Sequence, residues 1–309
     1  MFRGQDDGAI RIDDAAEADD ATDSSISHEL PLPPTSLNAS VPLDGSDAST
    51  TGDGELPELG SALVVTSLPG SGDSFGLFSV DFRSAPRVDL PQSGTLSMPT
   101  GWGITWLDGP TSMDLPPQLY HLTIDMGGVS RVNDQWTFDL GVTPGWFTDF
   151  ENRRPEAFRM MGRAVAYRDL DSHRQVAAGF VYLDRDDIPA LPVVGMVLDD
   201  PDAGYHHELV FPRPRLSWRW KETVDTSRWV YVGSELGGGS WAIKRQDRTP
   251  DVVTLRDLRL LGGLEFRSNQ RRLATIEAGV VFGREIETRT GIGDYSPPAT
   301  GMVRMWLDY

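Results

Sequence analysis

Met302-Val-Arg-Met-Trp-Leu-Asp-Tyr309 closes the chain, and its alternation decides the fold. Val303, Met305, Leu307 and Tyr309 fall on one face of an extended strand, Arg304 and Asp308 on the other. A strand that is apolar on one side, partly polar on the other and ended by an aromatic residue is what seals the last seam of a membrane β-barrel. A soluble β-domain ends this way only by chance, so the weight rests on recurrence.

The pattern recurs along the chain. Tyr120, Leu122, Ile124 and Met126 alternate with His121, Thr123, Asp125 and Gly127. Trp136, Phe138, Leu140 and Val142 alternate with Thr137, Asp139, Gly141 and Thr143, after a turn at Asn133-Asp134. Leu258, Leu260 and Leu264 oppose Arg259, Gly263 and Glu265, and Ile276, Ala278 and Val280 oppose Thr275, Glu277 and Gly279. Period two throughout, with no sustained 3.6-residue period, predicts an all-β domain. The polar face is Gly- and Thr-rich with isolated charges, which suits a confined interior, so the apolar face is read as facing lipid. Trp218, Trp220, Trp229 and Tyr231 around 221–228 read as an interfacial girdle.

Composition sets the limits. The chain carries a net charge of −18, and residues 1–60 hold 14 acidic against 2 basic residues. No aromatic residue lies between Phe2 and Phe75, so 1–72 reads as a disordered acidic leader and 73–309 as the folded domain. The absence of cysteine excludes a thiol nucleophile or thiolate metal site. Acidity without a basic, aromatic-laced patch argues against nucleic acid. The first residues show no secretory h-region, which places the true export signal upstream or already removed.

Short connections near 131–135, 169–174, 199–204, 221–228 and 267–271 alternate with longer ones near 149–157, 184–192, 237–251 and 287–300. That parity holds if 205–220 is two strands broken at Phe211-Pro-Arg-Pro-Arg215, where neither proline can donate to a ladder. Eleven strands then run from Leu119 to Tyr309. Even strand number adds one from 73–108, for a closed antiparallel up-and-down transmembrane barrel of about 12 strands.

Gly101-Trp-Gly, Leu107-Asp-Gly-Pro110, Leu115-Pro-Pro117, Gly145-Trp-Phe-Thr-Asp-Phe-Glu151 and Tyr182-Leu-Asp-Arg-Asp-Asp-Ile-Pro189 belong together with Phe211-Pro-Arg-Pro-Arg215 and Gly237-Gly-Gly-Ser-Trp-Ala242. As a set they resemble a bacterial family classed as a domain of unknown function, read as outer-membrane β-barrels. The resemblance covers roughly 75–309. It implies a fold and a location, and carries no substrate or catalytic residue.

On this assignment Asp125, Asp139, Arg219, Glu235, Arg259, Glu265 and Glu277 line the lumen. Their acidic excess implies either a polar pore with a mild cation bias or, if they pair with Arg219 and Arg259, a braced wall. Asp184, Asp186 and Asp187 share one loop; bracing of the mouth against Arg213 and Arg215 is favoured over a calcium site, whose spacing they lack. His206 and His207 are adjacent and face opposite ways, so one strand cannot offer both to a metal. Gly237-Gly-Gly239 lacks the Lys-Ser/Thr of a phosphate-binding loop and reads as an outer-loop hinge.

The expected function is a passive pore or transport-related channel, or else a structural envelope barrel, in the bacterial outer membrane. Outer-membrane lipid and the barrel-assembly machinery are the expected partners, with Val303, Met305, Leu307 and Tyr309 as the assembly signal. Neither metal nor cofactor is expected. Two rivals remain: a barrel hydrolase built on His121 with lumenal carboxylates, and a soluble β-sandwich binding module.

Overall fold

The computed structural model describes residues 60–70, 74–85, 87–90, 94–109, 113–268 and 271–309. They form one antiparallel sheet of 17 strands. These are β1 (Gly60–Leu68), β2 (Gly76–Ala85), β3 (Arg87–Leu90), β4 (Gly94–Ser97), β5 (Thr100–Asp108), β6 (Gln118–Ile124), β7 (Met126–Asn133), β8 (Trp136–Thr148) and β9 (Phe158–Asp171). The rest are β10 (Arg174–Tyr182), β11 (Ala190–Asp200), β12 (Tyr205–Phe211), β13 (Arg215–Glu222), β14 (Thr226–Lys244), β15 (Pro250–Ser268), β16 (Arg271–Thr288) and β17 (Thr300–Asp308).

From β8 to β17 each strand pairs with its sequence neighbour, β2 pairs with β5 and β5 with β6, and the ring closes where β1 lies between β17 and β2. β6 and β7 meet successive halves of β8, so they act as one bent strand. β3 and β4 form a hairpin extending β2 and β5. The wall therefore has about 14 strands rather than about 12. Between Leu119 and Tyr309 it has the eleven expected. The surplus lies earlier: 73–108 supplies β2 and β5 where one strand was expected, and β1 precedes that range.

β1 also lies inside the stretch read as leader. Its Ala62, Val64, Thr66 and Leu68 are buried, and the intervening Leu63 and Val65 are half-buried. The strand has the alternation of a wall element but no aromatic residue, so composition concealed it. Residues 1–59 lie outside the described residues.

The two faces of the wall differ as a membrane requires. Leu122, Leu140, Val194, Leu260, Ile276, Val280, Val303, Met305 and Leu307 are exposed, each next to a buried inward residue. An apolar outside over a closed hydrogen-bonded ring is a transmembrane β-barrel. Of the expected girdle, only Trp218 and Trp220 are exposed. Tyr231 is buried, and Trp229 shares its face because the two stand two residues apart.

Turn parity is clear. Short turns at 134–135, 172–173, 201–204 and 223–225 share one end with the β1–β17 seam. The longer connections 149–157, 183–189 and 289–299 share the other. The stretch 237–244, expected as loop, continues β14, and only 245–249 connects it to β15.

Candidate functional site: a paired interior beneath a covered mouth

Glu235 on β14 and Arg304 on β17 are separated by two strands, yet Arg304 Nη1 lies 2.8 Å from Glu235 Oε1. Side chains so placed meet only across the concave side of the wall, which identifies the buried face as the interior. Arg304 also donates through Nε to Glu277, which accepts from the Tyr231 hydroxyl at 2.6 Å. Arg259 binds Asp257 at 2.6 Å and Glu235 at 3.2 Å, and Arg213 approaches Glu235 at 3.6 Å. Glu265 accepts from Arg215 at 2.6 Å and from Arg267. On the far side, Arg163 holds both Asp125 and Asp139 at 2.7 Å. Arg272 closes the short-turn end on Asp308 at 2.7 Å.

All five acidic lumen candidates, Asp125, Asp139, Glu235, Glu265 and Glu277, are buried, and each meets at least one guanidinium. Arginines outside the expected lumen set supply many of these partners: Arg163 and Arg267, and Arg304, whose place on the polar face of the last strand was read from the sequence. Of the two expected partners, Arg259 does reach Glu235. Asp125 and Asp139 pair with Arg163 rather than with Arg219 or Arg259. Arg219 sits near the short-turn end, bonded to Glu222 at 3.2 Å and to the Pro201 carbonyl at 2.7 Å.

The acidic loop also pairs differently from expectation. Asp184 accepts from the Met160 amide at 2.7 Å, Asp186 binds Arg159 and Arg289, and Asp187 binds Arg185 at 2.7 Å. Arg213 and Arg215 serve the interior instead of this loop. The reason is length: β12 and β13 have only 7 and 8 residues, so their connection stands low on the wall, with Arg215 opposite Gly233.

His121 lies 3.4 Å from Asp81, and Ser79 donates to the same carboxylate at 3.1 Å. The carboxylate thus stands between hydroxyl and imidazole, whereas nucleophile activation needs the imidazole beside the hydroxyl. His206 faces inward between Asp199 (3.1 Å) and Glu208 (3.2 Å). His207 lies on the other face, its ring near Tyr205 and Trp218.

The long-loop mouth is covered by the chain itself. Beyond Gly233, where its pairing with β13 ends, β14 runs on to Lys244 while still paired to β15. This double strand, hereafter the cap, leans inward. At Gly238 the backbone has φ +99, and an added Cβ would lie 1.9 Å from the Leu255 carbonyl oxygen, so only glycine permits the bend. The cap reaches β8 on the far wall, where Ala242 forms a parallel bridge with Thr148. β8 and β14 are separated by five strands along the shorter arc, so the cap crosses close to the diameter.

Polar bonds hold it there. The Lys244 amide donates to Asp149 at 2.6 Å, and Asn152 Nδ2 donates to the Ile243 carbonyl at 2.9 Å. Arg185 spans from Asp187 to the Leu255 carbonyl at 3.1 Å, and Arg245 binds Asp251 at 2.7 Å. Beneath lies an apolar layer in which Trp241, Ile243, Val253 and Leu255 of the cap pack with Phe75, Leu119, Phe147 and Met161 of the wall. Sequence reasoning missed the cap. Its only local signal is the short alternation Trp241-Ala242-Ile243, preceded by three glycines and a serine that read as loop.

No family model matches the chain, and no curated protein matches it. Among solved structures it is similar to an outer-membrane channel from Pseudomonas putida F1, with 13% identity, 85% of this chain and 100% of that one covered, and a TM-score of 0.39. It is also similar to the porin KdgM in complex with oligogalacturonate (6% identity, 80% and 99% covered, TM-score 0.29). A third is the Pseudomonas putida toluene transporter TodX (9%, 81% and 87%, TM-score 0.31). At this distance none assigns this chain a solute.

Proposed function

We propose that the protein is an outer-membrane transport barrel, inserted from the periplasm by the barrel-assembly machinery, whose long-loop mouth is shut by its own cap. The carrying observation is how the cap meets the far wall. It meets that wall by one backbone bridge, a few side-chain bonds and apolar packing against Phe147 and Met161 rather than by a ladder, so it can part without opening the ring. Motion of this kind, a packed element lifting from a wall that stays closed, is a familiar gating device. The cation bias expected from the acidic residues is withdrawn, since their charge is matched by arginine.

Planar-bilayer recording tests this. Wild type is expected to conduct rarely and briefly. Asp149→Ala combined with Asn152→Ala, which removes bonds to the Lys244 amide and Ile243 carbonyl, is expected to raise the open fraction. Silence in both would favour the structural envelope role, the second reading, which the thoroughly paired interior supports.

A further inference from the structure

The wall is notched at one place. β12 and β13 have 7 and 8 residues, whereas towards the mouth β11 runs past them through Val193 to Ala190, and β14 through Ser234 to Lys244. At ~3.3 Å per residue and a tilt of ~40°, β12 rises ~18 Å, less than the ~25 Å apolar band of an outer-membrane wall. Above the turn that joins them, the width of two strands is missing, a gap of ~14 Å between β11 and β14. The gap lies at lipid depth, because its flanks carry outward apolar residues. Phe180 stands opposite Pro192, Leu260 opposite Ser234 and Leu258 opposite Leu236, and all three are exposed. Its edges are served singly rather than by a ladder. Pro192 has no amide hydrogen to leave unpaired. The Ser234 amide donates to the Pro214 carbonyl at 3.0 Å, and the Gly237 carbonyl accepts from Arg185 Nη1 at 3.4 Å. The 183–189 connection lies across the gap: Leu183 is buried, and Arg185, its side chain 2% exposed, reaches the Leu255 carbonyl at 3.1 Å. Behind it the interior is apolar, with Val193, Val210 and Leu191 beside Leu183, and Trp241 and Leu255 on the cap. The charges at the sill, Arg213 and Glu235, face each other at 3.6 Å.

In lipid an open sheet edge must be covered by protein, because its amides and carbonyls find no water there. Here the cover is one connection held by side-chain bonds, which part at less cost than a backbone ladder. We propose that the notch is a lateral portal through which small apolar molecules pass between the bilayer and the lumen beneath the cap. The 183–189 connection is its door and Arg185 its latch. The class of solute follows from the path, which runs from lipid over Leu191, Val193 and Val210 to Trp241 and Leu255. A charged or strongly hydrated solute would give up its water along this path without gaining partners. The inference rests on the transport reading and supplies its solute class and route.

Photolabelling from the lipid phase tests the portal. The full chain in liposomes is irradiated with a lipid-soluble alkyl diazirine, and the labelled residues are mapped by mass spectrometry. Outward Phe180, Val194 and Phe211 take label whether or not the portal exists. The portal adds label on inward Leu191, Val193 and Val210, above that on Met302 and Val281, which share the apolar layer under the cap but sit on the complete wall. Arg185→Ala should raise this inward label at least about tenfold, the factor of one lost charge-assisted hydrogen bond. Lys221→Gln, exposed at the short-turn end, should leave it unchanged. Label confined to outward residues in Arg185→Ala as in wild type overturns the proposal, since the wall is then shut. Label spread equally to Met302 and Val281 also overturns it, since the probe then entered by the mouth. Should Arg185→Ala not fold, Asp187→Asn, which removes the carboxylate partner of Arg185, takes its place. Inward label with silent bilayers would keep the portal and end the lifting cap; currents without inward label would keep the cap and end the portal.

Discussion

Arg163 stands between Asp125 and Asp139 with its side chain 2% exposed, so its charge depends wholly on those two carboxylates. Replacing both by asparagine leaves a buried guanidinium facing neutral amides, a loss of about 3–5 kcal/mol. A lower temperature for the heat-dependent shift in gel mobility is the expected result. Unchanged stability would mean that water already reaches Arg163. Asp125 and Asp139 were legible in the sequence because strand parity fixes which way a side chain points. Arg163 was not, because pairing depends on which strands lie side by side. Asp251, in the cap, shows the same dependence. Burial alone would raise its carboxyl, but bonds from Thr290, the Val252 amide and Arg245 hold it below the ordinary value of 3.8. A depressed folded value contributes stability that is present above the ordinary carboxylate range and lost as pH falls through it. Proteolysis of loop 245–249 should therefore be steady from pH 8 to 5 and rise below about 4.

Among the elements, β15 and β16 test the assignment of faces. Leu260 and Ile276 are 58% and 47% exposed on the outer side, between neighbours buried at 1% (Arg259) and 2% (Thr275). Leu260→Arg and Ile276→Arg place a cation in lipid, at a cost of ~2–4 kcal/mol near the midplane. Reversible unfolding in lipid should show the loss for both. A null effect would place these residues near the interface. β14 shows where element-level reading fails. Gly237, Gly238 and Gly239 read locally as a hinge, since glycine weakens an isolated strand. In the fold β15 supplies the full ladder, and Gly238 provides the bend that carries the cap across the mouth.

The whole molecule closes at the β1–β17 seam. Tyr309 exchanges backbone hydrogen bonds with Ser61 at 2.9 Å, and its ring lies 6.4 Å from Phe82. Tyr309→Asp sets a charge at the outer edge of this seam, where an apolar aromatic end is expected to direct assembly. Less folded protein in outer-membrane fractions, with no change in melting temperature for the fraction that does fold, is the expected outcome. Normal yield would remove Tyr309 from the assembly signal and leave Val303, Met305 and Leu307 to carry it.

By itself the sequence determined the class of fold, the faces of most strands from 119 onward and the parity of the turns. Each follows from a period-two alternation that is local and independent of distant partners. Tertiary structure decided the rest. The strand number needed β1, whose aliphatic run Ala62-Leu63-Val64-Val65 gains two distinct faces only once β17 and β2 flank it. The ion pairs needed ring order and stagger, which set Arg304 on Glu235 and Arg215 on Glu265. The covered mouth needed β12 and β13 to be short while β14 ran on, a mismatch of neighbouring lengths that only the closed ring turns into a cap.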